Sequence, residues 1–469
     1  MIWAGKPPRI LVAIASYGHG NDQYLARVVK EYRSMSCPVD IVLVSNVEKF
    51  ASTGVECVVG LPTTDPWSLP FAHKRIFADR LQDYDLFIYS EDDILITERN
   101  ILAFLEVNPA LKAGEVAGFF RVEYGPNGEA SYPEVHGHFR WDCSSVRTRG
   151  NDVLAQFTNE HSACYMLTRQ QLADALASGG FLVEPHEGKY DLLCTAATDP
   201  YTQCGFKKLV PVSRIDEFLV HHLPNKYIGK FGVDRHELDA QIAELSRIAE
   251  LEQKPMPLFS TETRLWHAEY SKDFYEPIVE EIVSAIPRDA NILSIGAGSA
   301  ANERRMAEAG SRVVVIPIDP VIGSSPARHG IEVVQGNLAA ARATIKSEKF
   351  DCLLYLNVLQ YVREPPELLT LFLDLLVSGG TVVMSTPNLP YLRYLWHSKP
   401  GDRARFKWRD FETTGVHNTS SGRVRAWCRR SGLKVEKILR LMPEGRGETA
   451  KSAWWPVPAE DLVIVARKS

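Results

Sequence analysis

The chain has 469 residues, of which 45% are hydrophobic and 24% charged, and its formal net charge is −5. This composition is that of a globular protein with room for two or three domains, and it excludes a disordered chain and a globally basic nucleic-acid binder. No apolar run reaches about 18 residues, so no membrane span is expected. Eight scattered cysteines without Cys-x-x-Cys pairs argue against a zinc site and a disulfide framework, and favour the cytoplasm.

The first half of the chain alternates between apolar strands and amphipathic helices. The predicted strands cover residues 9–15, 40–46 and 84–90, and the predicted helices cover residues 24–34 and 70–81. This alternation predicts an α/β domain. A polar loop that begins with Ser16 and Tyr17 follows the first strand.

Three consecutive acids, Glu91, Asp92 and Asp93, follow the third predicted strand and have apolar residues on both sides. Buried carboxylates are costly unless a positive charge compensates them. A divalent cation is the natural partner, because hard cations prefer carboxylate oxygens. A solvated acidic turn is the alternative interpretation, but the apolar flanks favour a nearly buried metal site.

The run Tyr-Ser-Glu-Asp-Asp-Ile-Leu-Ile resembles the metal-binding element of glycosyltransferases of the GT-A fold, over roughly residues 7–230. The resemblance implies a mixed sheet that binds a nucleotide sugar with Mn²⁺ or Mg²⁺ and serves a saccharide acceptor. It also implies that Asp93 is the direct metal ligand. Asp92 or Glu91 would then reach the ribose or the waters of the metal.

The same resemblance assigns further positions. Ser16 and Tyr17 match the place where such enzymes hold the nucleotide base. Asp191 opens a predicted helix where the family keeps a general base beside the acceptor hydroxyl. A helix cap is the alternative role of Asp191, and Glu187 is a rival for the base. Two histidines end the strand after Phe218, and because alternate side chains of a strand point oppositely, only one can complete a metal site; we favour His222.

A charged segment with helical periodicity joins the two halves. Its apolar residues recur every three to four positions, and Lys-Pro-Met-Pro ends it. We predict a linking helix within residues 234–260, between a first domain at 1–233 and a second at 261–469.

The second half carries a strand that opens into a glycine turn with Gly296 and Gly298. A second strand ends on Asp319 about twenty residues later, as in nucleotide-cradling βαβ units. The glycines let the backbone turn and approach a ligand, and Asp319 can accept hydrogen bonds from two ribose hydroxyls. Asn337, after a third strand, can meet an adenine edge, and Asn357 follows a fourth strand.

In order and spacing, this half resembles the class I S-adenosylmethionine-dependent methyltransferases over roughly residues 270–469. The resemblance implies a doubly wound, seven-stranded Rossmann-like sheet with S-adenosyl-L-methionine at the carboxyl ends of its first strands. Gly296 and Gly298 would line the methionine and ribose, Asp319 would hold the ribose, and Asn337 the adenine.

Two positions depart from that family. Ser294 stands where an acid is usual and Asn337 where Asp is frequent, so both lose charge. Asn357 completes the predicted cofactor site, and His417 is a candidate general base. A nicotinamide-binding domain is the alternative, but Ala301 breaks its third glycine position.

The sequence therefore predicts a bifunctional transferase with a metal-dependent glycosyl-transfer domain and a methyl-transfer domain, acting in glycan biosynthesis. A methyltransferase with a degenerate, acceptor-binding first domain and a non-catalytic scaffold are the alternatives. The Arg- and Trp-rich segment at 391–411 is interpreted as an acceptor-binding insertion or an exposed loop.

Overall fold

The computed structural model describes residues 6–50, 54–261, 263, 271–388, 411–441 and 461–468. The chain forms two compact units: residues 1–135 with 139–252, and residues 253–469 with 136–138. Apart from Phe411, the interpreted insertion at 391–411 lies outside the described residues. All eight cysteines are free thiols. Within the described ranges, none of the helices combines the length and apolar character needed to cross a membrane.

The first unit is a mixed α/β structure. Its strands are β1 (Ile10–Ser16), β2 (Val39–Ser45), β3 (Glu56–Val59), β4 (Leu86–Glu91), β5 (Ile94–Leu95), β6 (Glu115–Ala117), β7 (Phe120–Tyr124), β8 (Ala130–Tyr132), β9 (Trp141–Arg149), β10 (Asp152–Phe157), β11 (Cys164–Thr168), β12 (Lys207–Pro211), β13 (Leu219–His222) and β14 (Val233–Asp234). Its helices are α1 (Asp22–Ser34), α2 (Ala72–Asp79), α3 (Glu98–Val107), α4 (Arg169–Ala177), α5 (Leu192–Thr202) and α6 (Arg235–Ala249), with 3-10 turns at Pro66–Phe71, Asn108–Ala110 and Val212–Glu217.

The central sheet of this unit has the order β11-β4-β1-β2-β3, in which only β11 runs antiparallel to its neighbour. Every residue of β1 is buried, because its continuous apolar sequence can be covered on both faces. The register pairs Ala15 with Glu91 and Ser16 with Ser45. The carboxyl ends of β1 and β4 therefore bring the predicted nucleotide loop next to the three acids.

Two smaller sheets have the orders β6-β12-β10-β9 and β14-β8-β7-β13-β5. In the second of these, β13 lies between β7 and β5, and His222 pairs with Ile94. Because Ile94 directly follows the three acids, this pairing carries His222 to them from more than a hundred residues away in sequence.

The predicted linking helix is shorter than expected. It runs only from Arg235 to Ala249, and Asp234 caps it by accepting a hydrogen bond from the Glu237 amide. Gln241 accepts a hydrogen bond from the Trp141 indole at 2.9 Å, so the helix packs on the first unit. Residues 250–260 are not helical, since Pro255 and Pro257 remove amide donors there.

The second unit contains one large sheet. Its strands are β15 (Asn291–Ala297), β16 (Arg312–Pro317), β17 (Glu332–Val333), β18 (Phe350–Leu356), β19 (Leu376–Pro387), β20 (Leu433–Leu441) and β21 (Asp461–Lys468). Its helices are α7 (Glu280–Ser284), α8 (Ala301–Glu308), α9 (Ser324–Arg328), α10 (Leu338–Thr344), α11 (Pro365–Phe372), α12 (Phe411–Thr414) and α13 (Ser421–Arg430), with 3-10 turns at Leu359–Tyr361 and Leu373–Leu375.

The order of this sheet is β17-β16-β15-β18-β19-β21-β20, parallel except at β21. The predicted α/β class and the seven strands are confirmed. Alternate residues of β15 enter two different core clusters, Leu293 one and Ile292 the other, so both faces are covered. The strand order reverses between β15 and β18, which creates a crevice at their carboxyl ends.

Candidate functional site

The three acids at the end of β4 do not converge on one point. Glu91 is the last residue of β4, and Asp92 and Asp93 form the turn to β5. Asp92 and Asp93 are each only 6% exposed. The prediction of a nearly buried acidic element is confirmed, but each side chain has its own partners.

Asp92 is turned toward the loop after β1. It accepts hydrogen bonds from the Ser16 hydroxyl at 2.5 Å and from the Asn21 amide at 2.7 Å. Lys49 in turn donates to the Ser16 hydroxyl at 2.8 Å. Burial raises the pKa of Asp92 to about 6. The oxygens of Asp92 are thus engaged by Ser16 and Asn21, and its assignment to the metal site stays a prediction.

Asp93 faces His222. Glu123 accepts a hydrogen bond from Nδ1 of His222 at 2.5 Å, which turns Nε2 of the ring toward Asp93. Oδ2 of Asp93 lies 3.5 Å from this Nε2 and also accepts a hydrogen bond from the Asn21 amide at 3.4 Å. Oδ1 of Asp93 is buried and has no hydrogen-bond partner among the described residues. A cation between the two side chains would satisfy both.

Glu91 faces a second histidine. Its Oε1 lies 3.7 Å from Nε2 of His161, and neither atom has a hydrogen-bond partner within the described part of the chain. Burial, and then the Asp93 carboxylate, raise the pKa of Glu91 to about 7. Burial and the Arg121 guanidinium lower the pKa of His161 to about 3. Glu91 therefore keeps its proton up to about neutral pH, and His161 is a neutral base.

Of the two predicted base positions, Asp191 lies near this pair. Asp191 caps α5 by accepting a hydrogen bond from the Cys194 amide at 2.8 Å, as the capping alternative predicted. The Tyr190 ring lies 6.1 Å from that of His161, so the chain just before α5 packs on the histidine that faces Glu91. Glu187 is exposed.

The structure fits a divalent cation at Asp93 and His222 in part. Across the described residues, no group of three His, Cys, Asp or Glu side chains is already arranged as a metal centre. Magnesium and manganese sites, however, often use one or two protein ligands together with phosphates and waters. His221, on the opposite face of β13, packs on the Tyr124 ring at 4.9 Å and takes no part. Tyr17 is 51% exposed and so remains available to a base.

The glycine turn after β15 is shaped by the chain itself. Gly296 has φ +77°, and a Cβ there would lie 2.8 Å from Cγ1 of Val358. A Cβ on Gly298 would lie 2.3 Å from the carbonyl oxygen of Phe274, which accepts a hydrogen bond from the Ser299 amide at 2.7 Å. Phe274 therefore makes a close approach that requires glycine at position 298, and the approach of this turn to a ligand stays a prediction.

The side chains of Asp319 and Asn337 both accept hydrogen bonds from backbone amides two or three residues further along the chain. Oδ1 of Asp319 accepts hydrogen bonds from the amides of Val321 and Ile322 at 2.8 and 3.0 Å. Asn337 is exposed and caps α10 by accepting a hydrogen bond from the Ala340 amide at 2.9 Å. The predicted contact of Asn337 with adenine therefore competes with its capping role.

Glu303 of the next helix, α8, brings a carboxyl group next to position 294, where the strand itself carries Ser. Ser294 donates a hydrogen bond to Oε1 of Glu303 in α8 at 2.7 Å, and both side chains are buried. Burial raises the pKa of Glu303. A carboxylate thus stands beneath the glycine turn although the strand itself carries Ser.

A buried ion pair lies at the end of β18. Nζ of Lys272 donates to Oε1 of Glu276 and to the carbonyl oxygen of Leu356, each at 3.0 Å. Lys272 is 1% exposed. Burial raises the pKa of Glu276, whereas Lys272 and the amide of Asn357 lower it. Oδ1 of Asn357 has no hydrogen-bond partner among the described residues. We call Lys272, Glu276, Ser294, Glu303 and Asn357 the strand-end cluster.

His417 is held as a donor. Its Nε2 lies 3.0 Å from the carbonyl oxygen of Val362 and 3.2 Å from that of Arg363, and only a protonated nitrogen can bond to carbonyls. Its ring stacks on Phe411 and packs edge-on against Trp427. Nε2 is therefore a donor, so only Nδ1 could act as the predicted base, and that role of His417 stays a prediction.

Residues 267–438 match a family model described as a methyltransferase domain. The C-terminal part of the chain therefore contains a methyltransferase domain. A ubiquinone biosynthesis O-methyltransferase of Dinoroseobacter shibae is 30% identical over 132 residues, which cover 27% of this chain and 50% of that protein. The chain thus spans half the length of this curated relative.

Solved structures with likeness to the chain include an S-adenosylmethionine-dependent methyltransferase from Mesorhizobium loti, 19% identical with a TM-score of 0.31, covering 40% of this chain and 96% of that one. Another is a TehB-like SAM-dependent methyltransferase from Corynebacterium glutamicum, also 19% identical, with a TM-score of 0.28 and coverage of 40% and 86%.

Several residues of both sites were missed in the sequence. Glu123 lies 99 positions from His222, and Lys272 lies 84 positions from Leu356. Their short motifs carry no signal, because only the fold brings them to the strand ends. Asn21 belongs to the polar loop after β1. Its amide could have been identified as a hydrogen-bond donor for the acids at the end of the neighbouring strand.

Proposed function

We propose that the chain is a bifunctional transferase that methylates an acceptor from S-adenosyl-L-methionine in its second unit. The observation that carries this function is the match of residues 267–438 to a methyltransferase domain. The buried polar groups at the crevice between β15 and β18 support it, in particular the unpartnered Oδ1 of Asn357. S-Adenosyl-L-methionine supplies a methyl group activated by a sulfonium.

The residues of the crevice then have separate tasks. Asp319, at the end of β16, offers its carboxylate to the ribose hydroxyls. Because Gly296 has no side chain, Val358 can pack directly against the glycine turn. The relative's name as an O-methyltransferase favours an oxygen acceptor, and we propose a saccharide hydroxyl. Positioning of that oxygen in line with the methyl group is the main contribution of the protein.

Calorimetric titration with S-adenosylhomocysteine, the product of methyl transfer, tests this function. Asp319→Asn keeps an acceptor for the amides of Val321 and Ile322 but removes the charge offered to the ribose. Loss of this charge should weaken the binding of S-adenosylhomocysteine by about 10- to 100-fold, because hydrogen bonds to charged groups contribute about 1.5–3 kcal/mol. Asp351→Asn, at the opposite end of the same sheet, is the matched control and should bind as the wild type does. Absence of binding to the wild type would refute the function.

For the first unit, we propose metal-dependent transfer of a sugar from a nucleotide sugar. The specific observation in favour is the buried Asp93 carboxylate, which has one oxygen without a hydrogen-bond partner among the described residues and the other 3.5 Å from Nε2 of His222. Hard cations prefer such oxygen ligands. Asp93 and His222 would hold Mn²⁺ or Mg²⁺, and the cation would neutralise a diphosphate. Ser16 and Tyr17 would meet the nucleotide. Asp191, or its rival Glu187, would take the proton of the acceptor hydroxyl.

Binding of Mn²⁺, followed by its electron paramagnetic resonance signal, tests the metal site. His222→Ala should weaken Mn²⁺ by about tenfold or more, because loss of one ligand or its orientation costs that much. His221→Ala on the opposite face of the same strand is the matched control and should leave the affinity within about threefold. Equal effects of the two variants, or no Mn²⁺ binding at all, would refute the site. Hydrolysis of nucleotide sugars by wild type and Asp93→Asn then separates an active domain from a degenerate one.

A further inference from the structure

The first unit contains a cavity of about 460 Å³ on one face of the sheet β14-β8-β7-β13-β5. Its floor consists of alternate residues of three neighbouring strands: Leu219 and His221 of β13, Val122 and Tyr124 of β7, and Ala130 and Tyr132 of β8. The register pairs His221 with Val122. It also pairs Tyr124 with Ala130, so these side chains share one face. His222 points to the other face, and the cavity is therefore separate from the proposed metal site.

The rim of the cavity carries charged side chains from three other elements. Arg99 comes from the first turn of α3, Asp216 from the 3-10 turn at Val212–Glu217, and Arg235 from the start of α6. Ligand pockets usually measure about 300–1,000 Å³ and combine an apolar or aromatic lining with a few placed polar groups. The cavity has both the size and the lining of a binding site.

Asp216 and Arg235 form a fixed pair at this rim. Nη1 and Nη2 of Arg235 contact the two oxygens of Asp216 at 2.5 and 3.4 Å, and Nε donates to Asp239 at 2.8 Å. The side chain of Asp216 is 57% exposed, and each carboxylate oxygen has a second lone pair. Asp216 can therefore accept hydrogen bonds from a ligand without changing its orientation.

The positive charge of Arg99 is only weakly engaged. Nη2 of Arg99 lies 3.5 Å from Oε1 of Glu217, whereas Oε2 of Glu217 accepts hydrogen bonds from Nε and Nη2 of Arg214. The side chain of Arg99 is 68% exposed. Because Arg214 already neutralises Glu217, the guanidinium of Arg99 can turn to an incoming carboxylate, which it would bind through two parallel hydrogen bonds.

The aromatic part of the floor is held in place and remains accessible. The Tyr124 ring packs edge-on against the His221 ring, with 4.9 Å between the ring centroids. The backbone amide of Tyr124 and Nε2 of His221 both donate to Oδ1 of Asn225, at 3.0 and 3.1 Å. Tyr124 is nevertheless 41% exposed, so its ring can be covered by the apolar face of a ligand.

We propose that this cavity binds an acidic saccharide, a sugar ring that carries a carboxylate. Such a ligand matches the three kinds of lining together: its CH face covers Tyr124, its hydroxyls donate to Asp216, and its carboxylate pairs with Arg99. A neutral sugar forgoes the charge-assisted hydrogen bonds with Arg99, and a small inorganic anion does not cover the aromatic floor. The site goes beyond the two proposed transfer reactions and requires neither of them.

Two saccharides of equal length test this assignment: trigalacturonate, in which every ring carries a carboxylate, and neutral maltotriose. Saturation-transfer NMR titration of the full chain in the presence of chelator measures both affinities. The wild type should bind trigalacturonate about tenfold more tightly than maltotriose. Arg99→Gln should weaken trigalacturonate by about tenfold and maltotriose by less than about threefold, because only the first forms charge-assisted hydrogen bonds. Tyr124→Ala should weaken both saccharides by about three- to tenfold.

The matched control is Arg75→Gln, which removes an exposed arginine of α2 outside the cavity. Its affinity for trigalacturonate should stay within about twofold of the wild type. Arg99 and Tyr124 are both partly exposed, and an unchanged melting temperature shows that their variants fold. Absence of trigalacturonate binding to the wild type, equal affinities for the two saccharides, or equal effects of Arg99→Gln and Arg75→Gln would overturn the proposal.

Discussion

The two units treat buried charge at a strand end in opposite ways. In the first, Asp93 keeps a buried oxygen without a hydrogen-bond partner among the described residues, and its other oxygen lies 3.5 Å from Nε2 of His222. In the second, Glu276 accepts a hydrogen bond from Lys272 of the same unit. The carboxylate of the second unit is therefore neutralised within the chain, whereas the acids of the first unit can still accept a positive charge.

The largest expected effect is a difference between the two units in the stability change caused by removing one buried charge. Lys272→Met should destabilise the second unit by about 3 kcal/mol, because it strands the buried Glu276. Asp93→Asn should leave the first unit as stable or more stable in the presence of chelator, because it removes an uncompensated charge. Hydrogen exchange of peptides from β18 and β4 measures the two units separately. Similar losses of protection in both variants would contradict the comparison.

The next largest effect is the pH dependence of the stability of the first unit. Burial raises the pKa of Glu91 from 4.5 to about 7, so the folded state binds this proton more tightly than the unfolded state. The stabilisation is complete below pH 4.5 and is lost as the pH rises toward 7, at up to about 1.4 kcal/mol per pH unit. Burial acts in the same direction on the pKa of Asp92, raised to about 6.

Hydrogen exchange of β4 in chelator at pH 5, 6 and 7 measures that loss. Glu91→Gln should flatten the dependence, and added Mn²⁺ should flatten it for the wild type if the cation compensates the acids. Protection that increases from pH 5 to 7 would contradict the assignment.

Orientation of His222 should follow Glu123. Glu123→Gln keeps the shape of the side chain but can present its amide nitrogen to Nδ1, so His222 is no longer fixed with its lone pair on Nε2. The expected loss is about tenfold in Mn²⁺ affinity, the lower end for partners that orient metal ligands. His222 variants should be insensitive to the second substitution. Additive losses in the double variant would show that Glu123 acts elsewhere.

The smallest effect concerns the displaced acid of the second unit. Ser294→Asp places a carboxylate against Glu303, where the Ser294 hydroxyl now lies 2.7 Å from Oε1. Repulsion of like charges should lower the melting temperature by about 2–8 °C, corresponding to about 1–2 kcal/mol. Ser294→Asp with Glu303→Ser exchanges the two groups and should restore stability. No rescue by the exchange would mean that the two positions are not equivalent.

The sequence predicted the architecture better than the contacts of the sites. Continuous apolar runs such as β1 and β18 specify buried parallel strands, and the glycine turn marks the second βαβ unit. The resemblance to GT-A glycosyltransferases placed Asp93 and His222 in one site, and the two side chains are neighbours in the structure. The direction of Asp92 toward Ser16 was not predictable, because it depends on a turn of only two residues.

The residues that were missed reach their sites through long-range contacts. Lys272 precedes the glycine turn by more than twenty residues and has no partner nearby in sequence except Glu276. Glu303 lies in a helix whose periodicity marks it only as polar. A periodic pattern identifies the buried face of a helix or strand, but it does not identify which buried charges from distant parts of the sequence form a pair.

One calorimetric experiment tests the central claim most directly: titration of the same full-length sample with S-adenosylhomocysteine and then with Mn²⁺. We expect two saturable sites, each with one ligand bound per chain, the first weakened in Asp319→Asn and the second in His222→Ala. A sample that binds neither ligand, or in which one substitution weakens both, would contradict the proposal of two separate sites.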